Sequence, residues 1–246
     1  DYDLIVIKTL ERVSKNYYYI IRGEQKDMSA KNLFLKNYYN SLYKGSDYGY
    51  VIQPDIWIQK YISYVPSGYV LELGVGTGKN IDFLLEKDFF VEGVDLSDII
   101  IEKLNSKYDK KNCKFWVEDI TQINIAQNKY SLIICSMVLS HLSENEIIAL
   151  IKKIKDGLVS GGCIYISTMS KDDPMNFNSL NNCSHTIRMN NNKQDYLERT
   201  FLDKNQVKKY FENFEIIELA DIYQKEPLRT TALGYFGLIM YLGKKC

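Results

Sequence analysis

The spacing of apolar residues changes along the chain. From residue 69 onward, short β-branched and aromatic runs alternate with segments of helical period, the pattern of a parallel sheet with crossover helices. Strands are predicted at Tyr69 to Leu73, Phe90 to Val94, Cys113 to Val117 and Ser131 to Met137. The last is almost wholly apolar, as a strand buried on both faces must be. Helices are predicted at Lys79 to Lys87 and near Asp98 to Lys107. Ser143-Glu144-Asn145-Glu146 reads as a capping box opening a helix with Ile147, Ile148, Leu150, Ile151 and Ile154. Gly161-Gly162 predicts a turn into a fifth strand, Cys163 to Thr168. Asp203 starts a helix ending near Phe211, and segments at Phe214 to Leu219 and Thr231 to Leu242 supply an antiparallel edge.

Two regions fall outside this alternation, and each is a candidate lid, because an open sheet binds its ligand beyond the strand ends. In residues 1–66, Leu4, Ile7, Leu10 and Val13 have helical spacing and a tyrosine-rich stretch runs from Tyr38 to Tyr50. Pro54 suits the first turn of a helix carrying Trp57, Ile58, Tyr61 and Ile62, which Pro66-Ser67-Gly68 ends. The second region, Ser170 to Thr200, is too long for a bare connector. The organisation expected is one domain, 1–246, with an N-terminal helical cap over 1–66, a core over 67–246 and a lid insertion at 170–200.

Composition narrows the function without naming it. The 246 residues carry 31 basic and 31 acidic groups, so no global field draws the chain to nucleic acid or an anionic membrane. The apolar stretches at Leu132 to Leu139 and Leu233 to Leu242 fall short of the ~20 residues a bilayer requires. Cys113, Cys135, Cys163, Cys183 and Cys246 are odd in number and have no CxxC spacing, which argues for reduced thiols in a cytoplasmic protein and against structural zinc. No leader-like pattern opens the sequence, and Asp1 is not an initiator, so the start is expected to be trimmed or partial.

The most informative stretch is Glu72-Leu73-Gly74-Val75-Gly76-Thr77-Gly78-Lys79-Asn80, three glycines between a buried strand and a helix start. Glycines let the backbone turn sharply and approach a ligand, and free N–H groups at a helix start favour a negative group. Dinucleotide enzymes space their glycines GxGxxG, whereas here the spacing is GxGxG with Lys79 next. Glu72 lies two residues before Gly74; a carboxylate there repels a pyrophosphate and attracts an ammonium. The loop therefore argues for a nucleotide-like cofactor with an amino-acid end.

Over about residues 50–170 the sequence resembles the class I S-adenosylmethionine-dependent methyltransferases, small-molecule branch. Glu72 to Gly78 matches that family's first motif. Val91-Glu92-Gly93-Val94-Asp95-Leu96-Ser97 is similar to its second strand, whose terminal acid, here Asp95, takes both ribose hydroxyls. Trp116-Val117-Glu118-Asp119-Ile120 resembles the third strand's end, where an Asp takes the adenine amino group; Asp119 fills that role, with Glu118 as its neighbouring substitute. Tyr130 to Leu142 resembles the fourth motif, and Gly161 to Ser167 the motif after it. The resemblance implies a Rossmann-like, seven-stranded, mostly parallel sheet that binds S-adenosylmethionine and releases S-adenosylhomocysteine. The implied cofactor contacts are Glu72, Gly74, Gly76, Gly78, Asp95, Leu96, Asp119, Ile120 and Cys135. The implied activity is methyl transfer to N or O of a small molecule or short peptide, natural-product chemistry being one setting.

The sequence departs from that branch at Ser131, usually Asp, and at Ser140, often the first of two histidines. It lacks an Asn/Asp-Pro-Pro-aromatic tetrad, which with the balanced charge demotes nucleic acid as acceptor. His141 and Tyr39 are the catalytic candidates, and Tyr43 and Arg188 the acceptor-binding ones. Arg188 and Arg199 are scarce guanidiniums that a carboxylate-bearing acceptor could use, although a surface position is the ordinary fate of each. Asp95 as a helix cap and Asp119 as a turn residue are the structural alternatives. The competing functions are a non-catalytic S-adenosylmethionine binder, a nicotinamide oxidoreductase and an RNA methyltransferase.

Overall fold

A computed structural model describes residues 30–44, 53–109, 111–173, 176, 185–188, 196–225 and 235–246. The chain divides into two compact units, Asp1–Leu35 and Lys36–Cys246. Of the first, the described part is the opening of helix α1, Ala30–Lys44. Leu4, Ile7, Leu10, Val13, Tyr48, Tyr50 and Cys183 lie outside the described residues.

In the second unit the predicted alternation is present. Helix α2 (Ile56–Tyr61) leads into β1 (Tyr69–Leu73), then α3 (Ile81–Glu86), β2 (Phe90–Asp95), α4 (Asp98–Lys107), β3 (Cys113–Val117) and β4 (Tyr130–Ser136). A 3₁₀ turn (Leu139–His141) and α5 (Glu144–Gly157) follow, then β5 (Leu158–Met169), β6 (His185–Arg188), β7 (Tyr196–Arg199), α6 (Lys204–Tyr210), β8 (Phe214–Lys225) and β9 (Tyr235–Lys245). Seven strands form one sheet in the order β3-β2-β1-β4-β5-β9-β8, parallel as far as β5 and antiparallel from there to its β8 edge. Strands β6 and β7 make a separate antiparallel pair inside the expected lid insertion.

Alternate residues of the central strands supply the two cores. Leu71, Leu73, Ile133 and Cys135 pack toward Ile147, Leu150, Ile151 and Ile154 of α5 and Val207 of α6. Val70, Leu132 and Ile134 pack toward Ile58 of α2, Ile81 and Leu84 of α3 and Ile100, Ile101 and Leu104 of α4. Both faces of the sheet are thus covered, which parallel strands require. The crossover from β3 to β4 reverses the winding direction, and an open sheet of this kind has its crevice at the C-terminal ends of β1 and β4, where the order switches.

The helix starts follow the caps that the sequence suggests. Ser143 and Glu146 form the reciprocal capping box of α5, and Asp203 with Gln206 forms another on α6. Two details differ from expectation. Pro54 lies just before α2 rather than in its first turn, and the N-cap is Asp55, whose carboxylate accepts from Trp57 N–H at 3.0 Å. Gly161-Gly162 is no turn before β5. The strand begins at Leu158, directly after α5, and runs through both glycines with a register shift against β4 and a φ of +75° at Gly161.

Candidate active site

The glycine loop leaves β1 at the switch point. Gly74, Gly76 and Gly78 have φ of +68°, +51° and +73°, a backbone region that side chains rarely tolerate. Space forbids a side chain as well. A Cβ on Gly74 would stand 2.5 Å from Val138 Cγ2, and one on Gly78 2.4 Å from Ile81 Cδ1. A Cβ on Gly76 would meet the Tyr43 hydroxyl at 3.2 Å. Tyr43, expected to touch the acceptor, is instead buried with Val75 and Ile81 beside the loop.

Two buried carboxylates flank this loop and differ in how they are satisfied. Asp95, ending β2, accepts from Gly76 N–H at 3.0 Å on Oδ2 and from Ser97 N–H at 2.9 Å on Oδ1. Burial pushes its pKa up while these backbone donors pull it down. It braces the loop, and each oxygen retains a lone pair for a further donor. The cap of α4 is Ser97, which accepts from Ile100 N–H, so Asp95 is not spent as a helix cap.

Glu72 has one oxygen satisfied. Oε1 accepts from the Asn80 amide at 2.7 Å, while Oε2 is buried without a hydrogen-bond partner. Burial pushes its pKa up to about 7, with Asn80 and Lys79 opposing and the Asp55 charge reinforcing that rise. Asp55 belongs to the same cluster. Its N–H donates to Asn80 Oδ1, its carboxylate accepts from Tyr165 O–H at 2.9 Å, and Lys79 Nζ lies 3.6 Å away. Sequence reading missed Asp55, Asn80 and Tyr165; the Pro54-Asp55 step before a helical segment was the available signal for the first.

An orphaned buried carboxylate oxygen next to a side-chain-free cradle, with a second carboxylate 23 residues on, fits a ligand bearing an ammonium and a diol. The remaining candidates divide. Asp119 Oδ1 accepts from both N–H (2.9 Å) and O–H (2.8 Å) of Thr121, making a side-chain-bonded turn at the end of β3. Leu96 is half-buried beside Asp95, and Ile120 is almost wholly buried. Cys135 turns its side chain away from the crevice side. Its side chain is fully inside the core under α5, where burial pushes the thiol up to about 12, so the thiol lines no pocket.

The crevice's other wall comes from three distant segments. Tyr39 of α1 and His141 of the 3₁₀ turn meet with Oη to Nε2 at 2.8 Å, and their rings stand edge to face. Arg199, the last residue of β7, brings Nη1 to 2.8 Å from His141 Nδ1 and close to Nε2 as well. A guanidinium only donates, and a neutral imidazole has one acceptor nitrogen. Arg199 can therefore donate to one ring nitrogen, the tautomer deciding which, and His141 links Tyr39 to Arg199 instead of standing as an open base. Arg199 is 9% exposed, against the surface position expected for it. Arg188 ends β6, paired in register with Tyr196; its side chain lies outside the described part. Met137, just after β4, has a φ of +59° and donates its N–H to Ser167 O at 2.8 Å, so this turn carries strain of the kind found at binding sites. Among the described residues no group of His, Cys, Asp and Glu is placed to hold a metal ion, and no helix is long and apolar enough to cross a membrane.

Comparison with known proteins agrees with this geometry. Residues 70–162 match the methyltransferase domain family. A probable S-adenosyl-L-methionine-dependent methyltransferase, TehB of Haemophilus influenzae, is 30% identical over 143 residues, 56% of this chain and 48% of that protein. The chain thus spans about half the length of that relative. A carboxy-S-adenosyl-L-methionine synthase of Trichodesmium erythraeum is 25% identical over 197 residues, 76% of this chain and 72% of that protein. The crystal structure of a SAM-dependent methyltransferase from Methanosarcina mazei superposes with a TM-score of 0.63 at 13% identity, covering 76% of this chain and 96% of its own. Motif order, sheet order and these matches together identify residues 70–162 as a methyltransferase domain of the class I S-adenosylmethionine-dependent family.

Proposed function

We propose that the protein transfers a methyl group from S-adenosylmethionine to an N or O atom of a small molecule or short peptide. The observation that carries this reading is the pair of buried carboxylates around the glycine cradle, one of them with an unpartnered oxygen. Glu72 would take the ammonium of the methionine end, and Gly74, Gly76 and Gly78 would let the backbone close on it. Asp95 would accept from the ribose hydroxyls, while Asp119 and Ile120 would meet the adenine. The bound cofactor supplies an electrophilic methyl on a sulfonium. The protein's part is to align the acceptor and exclude water, and alignment alone is worth effective molarities of about 10⁵ to 10⁸ M. Tyr39 would orient the acceptor by its hydroxyl, fixed from behind by His141, and a neutral amine acceptor would need no strong base. The β6–β7 hairpin and α1 would cover the acceptor.

Calorimetric titration with S-adenosylmethionine, S-adenosylhomocysteine and NADH tests the reading. Micromolar binding of the first two and none of NADH is expected. Binding of NADH alone would overturn it, and cofactor binding without turnover on any acceptor screened would favour a non-catalytic binder.

A further inference from the structure

We propose that Arg199 is the anion receptor of the acceptor pocket and that the acceptor carries a carboxylate, a refinement that rests on the methyltransferase reading above. Arg199 is buried, yet among the described residues its hydrogen-bond partner is the His141 ring and no carboxylate forms an ion pair with it. A buried charge without a countercharge is costly, and a lysine would relieve the cost by losing its proton. A guanidinium cannot do so, and only five of the chain's 31 basic residues are arginines. A charge kept under those conditions suits an anion that arrives with the ligand.

The surrounding geometry favours a carboxylate. Nη1 is committed to His141, which leaves the opposite edge of the guanidinium, with its parallel donors, for a planar two-oxygen partner. The group is held in place. Thr200 N–H donates to Ser140 O at 2.9 Å, and Thr200 Oγ1 donates to Leu142 O, so the end of β7 is tied to the turn that carries His141. Through that ring, Arg199 also sets the orientation of the Tyr39 hydroxyl. The aromatic faces of Tyr38, Tyr39 and His141, in edge-to-face contact, would flank the acceptor's body.

The test uses the full chain saturated with S-adenosylhomocysteine and titrated with acetate, benzoate and the neutral isostere benzamide. At least one carboxylate is expected to bind, with benzamide about tenfold or more weaker than benzoate, because a charge-assisted pair is lost. Arg199→Met should abolish carboxylate binding and leave S-adenosylhomocysteine affinity within about twofold. Equal binding of benzoate and benzamide, or no carboxylate binding by the unaltered protein, overturns the proposal without the need of a variant that folds. Loss of S-adenosylhomocysteine affinity in a folded Arg199→Met variant also overturns it, by assigning Arg199 to the cofactor's own carboxylate. Failure of the unaltered protein to bind S-adenosylhomocysteine at all marks the methyltransferase reading itself as the part that failed.

Discussion

The two walls of the crevice are built by opposite means. The wall proposed for the cofactor comes from neighbours in sequence: Glu72, the three glycines and Asn80 lie within nine residues, and Asp95 ends the adjacent strand. Its polar groups are held mainly by backbone N–H groups and one amide. The wall proposed for the acceptor joins α1, the turn after β4 and the end of β7 through side chains 58 and 102 residues apart. One wall is fixed by strand geometry, whereas the other depends on where two insertions are laid against the sheet. A class of cofactor is therefore read more easily from such a chain than an acceptor.

Disturbing the loop should produce the largest effect. Gly74→Val puts a Cβ 2.5 Å from Val138 Cγ2 at a φ of +68°. Backbone strain of about 1–2 kcal/mol and overpacking of about 1–3 kcal/mol add there, so urea denaturation should show a loss of several kcal/mol and calorimetry no cofactor binding. A variant as stable as the parent would refute the tight-turn account.

Asp95→Ala comes next. It removes the acceptors proposed for two ribose hydroxyls and frees Gly76 and Ser97 N–H, so cofactor affinity should fall at least tenfold, one charge-assisted bond alone being worth about 1.5–3 kcal/mol. Unchanged affinity in a folded variant would leave Asp95 as a structural brace.

Glu72→Gln separates binding from stability. The folded chain keeps the Glu72 proton up to about pH 7, while the unfolded chain releases it near 4.5. Folding thus takes up a proton between those values, and this group's contribution to stability falls as pH rises through that window, by about 3 kcal/mol in all. Glu72→Gln should flatten that slope in pH-dependent urea melts yet weaken cofactor binding about tenfold. An ammonium ligand prefers the ionised carboxylate, so binding to the parent should strengthen as pH rises toward about 7 and release protons below it. A pH-independent affinity would remove Glu72 from the ammonium site.

The smallest effect belongs to a residue that the family resemblance puts at the cofactor and the fold puts in the core. Cys135→Ala should leave cofactor affinity unchanged within about twofold, with a stability loss of about 1 kcal/mol for a small cavity. A tenfold loss of affinity in calorimetry would return Cys135 to the site.

These contrasts follow how far each feature depends on local chemistry. The strands at Tyr69, Phe90 and Cys113, the Ser143 and Asp203 caps and the glycine turn were legible because period, cap residues and positive φ are local demands. The Gly161-Gly162 pair misled because glycine serves bulged strands as well as turns, and strand pairing with β4 made the choice. Asp119 joined a local turn with Thr121, as its position at a strand end permits.

The sequence by itself determined the alternating sheet, the loop that closes without side chains and the carboxylates at two successive strand ends, because each arises from residues close in the chain. Only the tertiary structure decided that Glu72 would be left with an unpartnered oxygen, that Cys135 would point into the core and that Arg199 would be buried against His141. Those outcomes depend on which distant segment covers each group, and burial, not residue type, sets the cost and the reach of a charge.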